Sequence, residues 1–449
     1  MTVRQATFAT RILQVLAIAA LGGVAYGAQH LSRHGQTSLG TISALGLLLI
    51  CGTLAGELLE AFRIPHLTAY LGVGVVAGPY LLNLVDHETV DSLQTVNTLA
   101  LALIAFAGGA ELRLDLVKRS LRSLSASALT QCILVLFGAA AIFAVVSPML
   151  PFARGALASM LAIAMLWGVL SITRSPAATL AILSQTRAQG PLATFSLAFV
   201  MLSDVVVIVI ASAVIALVKP FLEPGTAFSI ESLGHLGHEI VGSVSLGTSL
   251  GLLMVAYLRF VNKQILVVLV ALGFGFTEII NYLRLDPLLT FLVAGFLIQN
   301  LSGQGEKLLH AIEDMGSVVY VVFFATAGAA LDLPLLRKLW VVALILFAGR
   351  VILTVGAHRL ACRMADDPPV LKRWGWTGLV AQAGVVLGLA VTIERAFPTF
   401  GPPFRALAIA TVALNQLVGP ILFKLALDTA GESSQTPEPS RPSLYPSPG

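Results

Sequence analysis

Fourteen apolar runs follow one another from Ile12 to Leu427, joined by short polar connections. They cover residues 12–28, 41–60, 65–83, 92–110, 124–147, 157–183, 193–217, 238–260, 264–282, 285–300, 314–331, 337–361, 374–394 and 404–427. A run of about 20 apolar residues coils into a helix that spans a hydrocarbon core of about 30 Å. In lipid a helix satisfies its own backbone hydrogen bonds, and an open strand does not. The pattern therefore predicts an all-α polytopic membrane protein with 13 or 14 transmembrane helices. Hydrophobic residues make up 57% and charged residues 11% of the 449, far from the balance of a soluble domain. Almost no chain is left for a soluble domain, so function is expected inside the bundle.

The first run follows Arg4 and Arg11. It reads as an extra helix within residues 1–40, or as a signal-like segment with Ala25 and Gly27 near a cleavage site, and the helix is the preferred reading. Residues 41–427 form the transmembrane unit, and 428–449, rich in Ser and Pro, read as a disordered tail. Arg113, Lys118, Arg119 and Arg122 in one loop, and Arg359, Arg363, Lys372 and Arg373 in another, place those loops and the C-terminus in the cytoplasm. Gly74 and Gly78 have the spacing at which helices approach closely. Cys51, Cys132 and Cys362 lie in or beside apolar runs and read as packing residues. No resident metal site, nucleotide loop, nucleic-acid patch or cofactor motif is expected, and no nucleophile–base pair suggests an enzyme.

Three charges interrupt this apolar background. Asp204 lies about 11 residues into its run, roughly 16 Å along a helix and near the middle of the core. Arg350 is similarly placed, and Arg174 stands immediately before Ser175-Pro176 within the run 157–183. An ionised side chain at that depth costs at least ~2.5–3.5 kcal/mol, so each is a functional candidate. Pro176 breaks the first helix, and Ala381-Gln382-Ala383-Gly384 interrupts a second one late in the chain. Interrupted helices in corresponding halves mark a transporter built from inverted repeats. Glu57, Glu60 and Glu278 lie nearer helix ends and are expected to be solvated or paired. All eight histidines lie at or near loops, which argues against a histidine relay.

The motifs Arg63-Ile-Pro65, Tyr70-Leu71-Gly72, Gly78-Pro79, the stretch 105–115, Ser175-Pro176-Ala177, Ser203-Asp204, Phe323-Phe324 with Gly328, Leu331-Asp332, Arg350 and Gln382-Ala-Gly384 come in a fixed order. Together they resemble the bacterial monovalent cation:proton antiporter-2 family, which includes sodium/proton and potassium/proton exchangers. The resemblance implies a sodium/proton antiporter-like fold with two crossed discontinuous helices and separate dimerisation and core subdomains. It also implies a homodimer in the bacterial inner membrane and a role in pH homeostasis. The family's essential aspartate maps onto Asp204 and its later basic residue onto Arg350. Many relatives carry two adjacent polar-acidic residues where this chain has Ser203-Asp204, and sodium-transporting ones often read Thr-Asp-Pro where this chain has Arg174-Ser175-Pro176.

The expected function is secondary antiport of sodium or potassium against protons. Asp204 is the shared site, and Ser203, Ser175 and Gln382 are further oxygen donors. Arg174 and Arg350 balance charge or gate, and Pro176 and Gly384 mark the helix breaks. With one carboxylate, one monovalent cation or one proton neutralises the site, which favours electroneutral exchange. Two other readings stand beside it: a same-fold transporter that draws an anion to Arg174 and Arg350, and a sensor in which Arg174 permanently neutralises Asp204.

Overall fold

A computed structural model describes residues 14–24, 40–60, 62, 64–114, 118, 120–223, 230–261, 265–283, 285–302 and 318–433. The cleavage motif at Ala25 and Gly27 and the tail 434–449 lie outside the described residues. The described elements are helical: α1 (Gln14–Val24), α2 (Thr41–Glu60), α3 (His66–Ala77), α4 (Gln94–Glu111), α5 (Leu121–Met149), α6 (Leu157–Ser171), α7 (Pro176–Thr186) and α8 (Pro191–Leu222). These are followed by α9 (Ile230–Phe260), α10 (Ile265–Leu283), α11 (Pro287–Leu297), α12 (Val318–Ala329), α13 (Leu333–Ala365), α14 (Gly384–Ala396) and α15 (Gly401–Ala430). Among the described residues, seven helical segments are long and apolar enough to cross a membrane, counting α6 and α7 as one interrupted span. Shorter apolar helices, α3 and α12 among them, fill out the bundle.

Sequence chemistry sets where the helices begin. Proline occupies the first turn of α7, α8, α11 and α15, where its missing N–H costs nothing. Ser175 and Asp286 supply side-chain caps, accepting from Ala178 N at 3.1 Å and Leu289 N at 2.6 Å. The close approach expected at Gly74 and Gly78 is made against α12: a Cβ on Gly74 would collide with the Ala325 carbonyl, and one on Gly328 with the Leu71 carbonyl. The same reciprocal arrangement joins α4 to α11, where Gly109 faces the Leu292 carbonyl and Gly295 faces the Phe106 carbonyl. The last helix runs to Ala430, beyond the expected boundary at 427. The chain then turns at Gly431 (φ 71°), and Glu432 docks on α8.

A smaller cluster joins α2, α3 and α12, and two large apolar cores fill most of the bundle. One gathers α4, α7, α11, α12 and the first half of α8, from Leu192 to Met201. The other gathers α5, α6, α13, α14, α15 and the second half of α8, from Val207 to Val218. The interrupted helices change core at their breaks: α6 belongs to the second and α7 to the first, while Leu379 and Ala381 belong to the first and Val386 and Ala390 to the second. A polar layer lies between. The span containing α6 and α7 is the most enclosed, with 67% of its apolar window buried against 28% for the span within α13.

Candidate functional site

The polar layer is built on two gaps in helical structure. The first lies between α6, which ends at Ser171, and α7, which begins at Pro176. The second lies between a 3-10 turn, Gly375–Leu379, and α14, which begins at Gly384. Gly384 is thus the first residue after the interruption. The gaps face each other: Gln382 Nε2 donates to the Leu170 carbonyl at 2.8 Å and to Thr173 Oγ1 at 2.8 Å. Interrupting a helix leaves carbonyls without intrahelical donors and concentrates partial negative charge at the C-terminal end.

Arg350, on α13, answers that charge from both sides. Its Nε donates to the Ser171 carbonyl at 2.8 Å and its Nη2 to the Thr173 carbonyl at 2.9 Å, both at the first gap. Across the second gap, Nη1 donates to Val380 O at 2.7 Å and Nη2 to Leu379 O at 3.3 Å. The remaining Nη1 proton goes to Asn415 Oδ1 at 2.7 Å. All five guanidinium donors are therefore engaged, and the side chain is buried. Asn415, on α15, closes the ring by donating to Gln382 Oε1 at 3.0 Å. A void of about 10 Å³ beside Arg350, lined by Trp167, Ser171, Gln382 and Thr411, has room for about one water molecule.

Arg174 lies wholly inside the protein, 1% exposed. Its Nη1 folds back onto the carbonyls of Ile172 and Thr173, the latter at 3.0 Å. Its Nη2 donates to Gln131 Oε1 at 2.6 Å. Gln131 opens a π-helical turn, Gln131–Val135, inside α5, and its own Nε2 reaches Thr354 O at 3.4 Å. Such turns rotate one side chain out of the regular helical register. Arg174 Nε has no hydrogen-bond partner.

Asp204 is different from both arginines. It is 4% exposed at the level where α8 passes from one core to the other, and neither carboxylate oxygen has a hydrogen-bond partner. Among the described residues it forms no ion pair, and the charged groups that act on it through space are Asp286 and Arg174. Ser203 beside it donates to Val200 O at 2.8 Å, which leaves the hydroxyl oxygen free to accept. Ser175 is engaged as the α7 cap, and Gln382 is engaged on both ends of its amide.

The expected site residues thus fall into two groups. Arg174, Ser175, Pro176, Arg350, Gln382 and Gly384 make or flank the crossing of the two gaps. Ser203 and Asp204 stand on the adjoining helix α8. Thr173, Asn415 and Gln131 belong to the same layer and escape a sequence reading, as does Asp286, the half-buried cap of α11. Asp286-Pro287 does carry a usable signal, because an aspartate before a proline at the head of an apolar run is a helix start that places a carboxylate at its cap. Glu57 and Glu60 are paired near helix ends, with Gln14 and His66 at 2.7 and 3.2 Å, and Glu278 is exposed. His358, near the end of α13, is fully buried, with its Nε2 against Leu371 O at 2.9 Å. The three cysteines are free thiols, Cys51 and Cys362 buried and Cys132 half-buried.

Comparison with known proteins agrees with this architecture. The sodium proton antiporter MjNhaP1 from Methanocaldococcus jannaschii, in its structure at pH 8, superposes with a TM-score of 0.65 at 18% identity, covering 87% of this chain and 99% of that one. An electron-microscopy structure of the same antiporter gives 0.68 at 18% identity, covering 88% and 99%. At that identity the likeness establishes the fold. No curated protein sequence matches the chain. The sequence pattern described as the transmembrane sodium/hydrogen exchanger matches residues 45–428, most of the chain and all of the polar layer. This multi-pass membrane protein belongs to the sodium/hydrogen exchanger family, whose members are cation:proton antiporters and not enzymes.

Proposed function

We propose that the chain exchanges one sodium or potassium ion for one proton, electroneutrally, with Asp204 as the site both ions share. The observation that carries this reading is a carboxylate buried in the polar layer with neither oxygen hydrogen-bonded. An ion in that position is costly until something neutralises it. A proton and a monovalent cation each do so with one charge, so each excludes the other. Coupling follows if the neutralised site passes the apolar barrier and the bare anion does not. In this reading Ser203, whose oxygen keeps accepting capacity, adds a ligand, whereas Ser175 caps α7 and Gln382 bridges the two gaps. Arg350 supplies fixed positive charge there.

The anion reading loses its attractor at Arg350, where every donor is spent on protein oxygens. The adjoining void, about 10 Å³, is too small for an organic or oxyanion cargo. The sensor reading needs a lasting Arg174–Asp204 pair, and no such hydrogen bond or ion pair is present. The family resemblance supports a homodimer in the bacterial inner membrane with potassium or sodium exchange serving pH homeostasis, and the basic loops at 112–123 and 357–373 support a C-terminus inside.

The test is purified protein in liposomes with a lumenal pH dye, challenged with sodium or choline chloride while valinomycin and a fixed potassium gradient set the membrane potential, and with potassium chloride in parallel vesicles without valinomycin. Alkali-cation-driven pH change, absent with choline and insensitive to potential, is the expected result. Silence with every cation between pH 6 and 9 would end this reading.

A further inference from the structure

The carbonyls freed by the first helix gap are the natural oxygen cage for a bare cation at this depth. In this chain side chains already take those carbonyls: Arg350 holds Ser171 O, Arg350 and Gln382 both reach Thr173 O, and Ile172 O is left to Arg174. Arg174 Nη1 lies on the Ile172 and Thr173 carbonyls, and the guanidinium is kept there by Gln131 from the π-helical turn of α5. Gln131 is itself 2% exposed and anchored on α13 through Thr354 O. The placement is unlike a surface helix cap, because Arg174 is 1% exposed and retains one donor, Nε, without a partner. It also stands close enough to Asp204 to act on it through space without bonding to it.

We infer that Arg174 is a tethered resident cation, occupying the carbonyl cage of the first helix gap so that the transported ion has Asp204 as its only anionic ligand and no backbone cage. Gln131 is the positioning residue that holds it there. This rests on the exchange reading for its consequence but not for its geometry. With the cage filled, the loaded site takes one monovalent charge, and cation affinity stays low because a fixed positive charge opposes entry.

Two sets of measurements test it. In liposomes, Arg174→Ala is expected to lower the half-saturating sodium or potassium concentration about tenfold or more and to make exchange respond to membrane potential. Arg174→Lys, which keeps a charge, is expected to stay within about threefold of the wild type. Gln131→Leu, which frees the guanidinium without removing it, is expected to lower half-saturation by about threefold. Unchanged half-saturation and potential dependence in Arg174→Ala, with only a lower melting temperature, would reduce Arg174 to a helix cap and overturn the inference. If Arg174→Ala does not fold, an unchanged half-saturation in Gln131→Leu overturns it equally.

The second set is independent of transport. In detergent, the double variant Arg174→Ala/Asp204→Asn is expected to be stabilised by sodium or potassium chloride over choline chloride, since a cation then takes the place of the guanidinium on the freed Ile172 carbonyl and the Thr173 carbonyl, which Arg350 also holds. Absence of that shift counts against the cage even if the wild type proves an active exchanger. Its presence in a protein with no cation-driven flux would uphold the cage while ending the exchange reading.

Discussion

Replacing Arg350 by methionine tests the crossing most severely, because that one side chain holds four carbonyls drawn from both gaps, beside the Gln382 bridge. The substitution keeps much of the side chain's apolar length and removes five hydrogen bonds. The Thr173 carbonyl keeps Arg174 at 3.0 Å and Gln382 at 3.4 Å. Four other acceptors lose Arg350: the carbonyls of Ser171, Leu379 and Val380, and Asn415 Oδ1. At ~1–3 kcal/mol for each buried acceptor left unsatisfied, the gross cost is about 4–12 kcal/mol. Relief from burying a guanidinium, several kcal/mol, and water entering the vacated space both reduce it. The net expectation is a loss of about 3–5 kcal/mol, comparable to breaking a buried ion pair from one side. For a chain of this length that is a fall of at least ~3 °C in the unfolding midpoint in detergent, followed by intrinsic fluorescence. Arg350→Lys restores the charge without the planar fork, so it is expected to recover less than half of the loss. An unchanged midpoint in Arg350→Met, or full recovery by lysine, would show that the fork geometry across both gaps does not hold the fold together.

Other perturbations separate scaffold from site. Ser175→Ala removes the cap on Ala178 N and should cost about 1 kcal/mol in thermal stability, with half-saturation by cation unchanged within about twofold. Glu432→Ala frees Leu192 N and Ala193 N, which the carboxylate caps at 2.9 and 2.8 Å, and should cost ~1–2 kcal/mol by the same thermal assay. If protons and cations compete for one carboxylate, lowering the pH by one unit should raise the half-saturating cation concentration about tenfold wherever the site is mostly protonated. Initial rates across a matrix of pH and cation concentration would show this, and a half-saturation independent of pH would exclude a shared site.

What the sequence made legible is what clashes with its surroundings. A proline after Arg174-Ser175, a lone Asp204 and a lone Arg350 in lipid-soluble runs each violate a rule that lipid enforces, so their importance is visible without coordinates. The partners are not, for a physical reason. Arg350 is held by backbone carbonyls, which every residue possesses, and only the crossing of two gaps chooses which ones it meets. Gln131 looks like an ordinary uncharged polar residue within an apolar run, and the π-helical turn that aims it at Arg174 has no signature in spacing. Ser175 and Gln382 read as oxygen donors by residue type; the cap on Ala178 N and the amide bond from Asn415, which each take up one of those lone pairs, have no signature in the sequence. The glycine crossings were half visible: Gly74 and Gly78 share one helix face, whereas Gly109 and Gly295 are paired only in three dimensions.

The measurement closest to the central claim compares wild type and Asp204→Asn in parallel liposomes, reading lumenal pH on addition of sodium, potassium or choline. Cation-driven proton movement is expected in the wild type and none in Asp204→Asn, with a melting midpoint at least as high in the variant, since an unpartnered buried charge has been removed. Coupled exchange retained in Asp204→Asn at wild-type rate would contradict that claim.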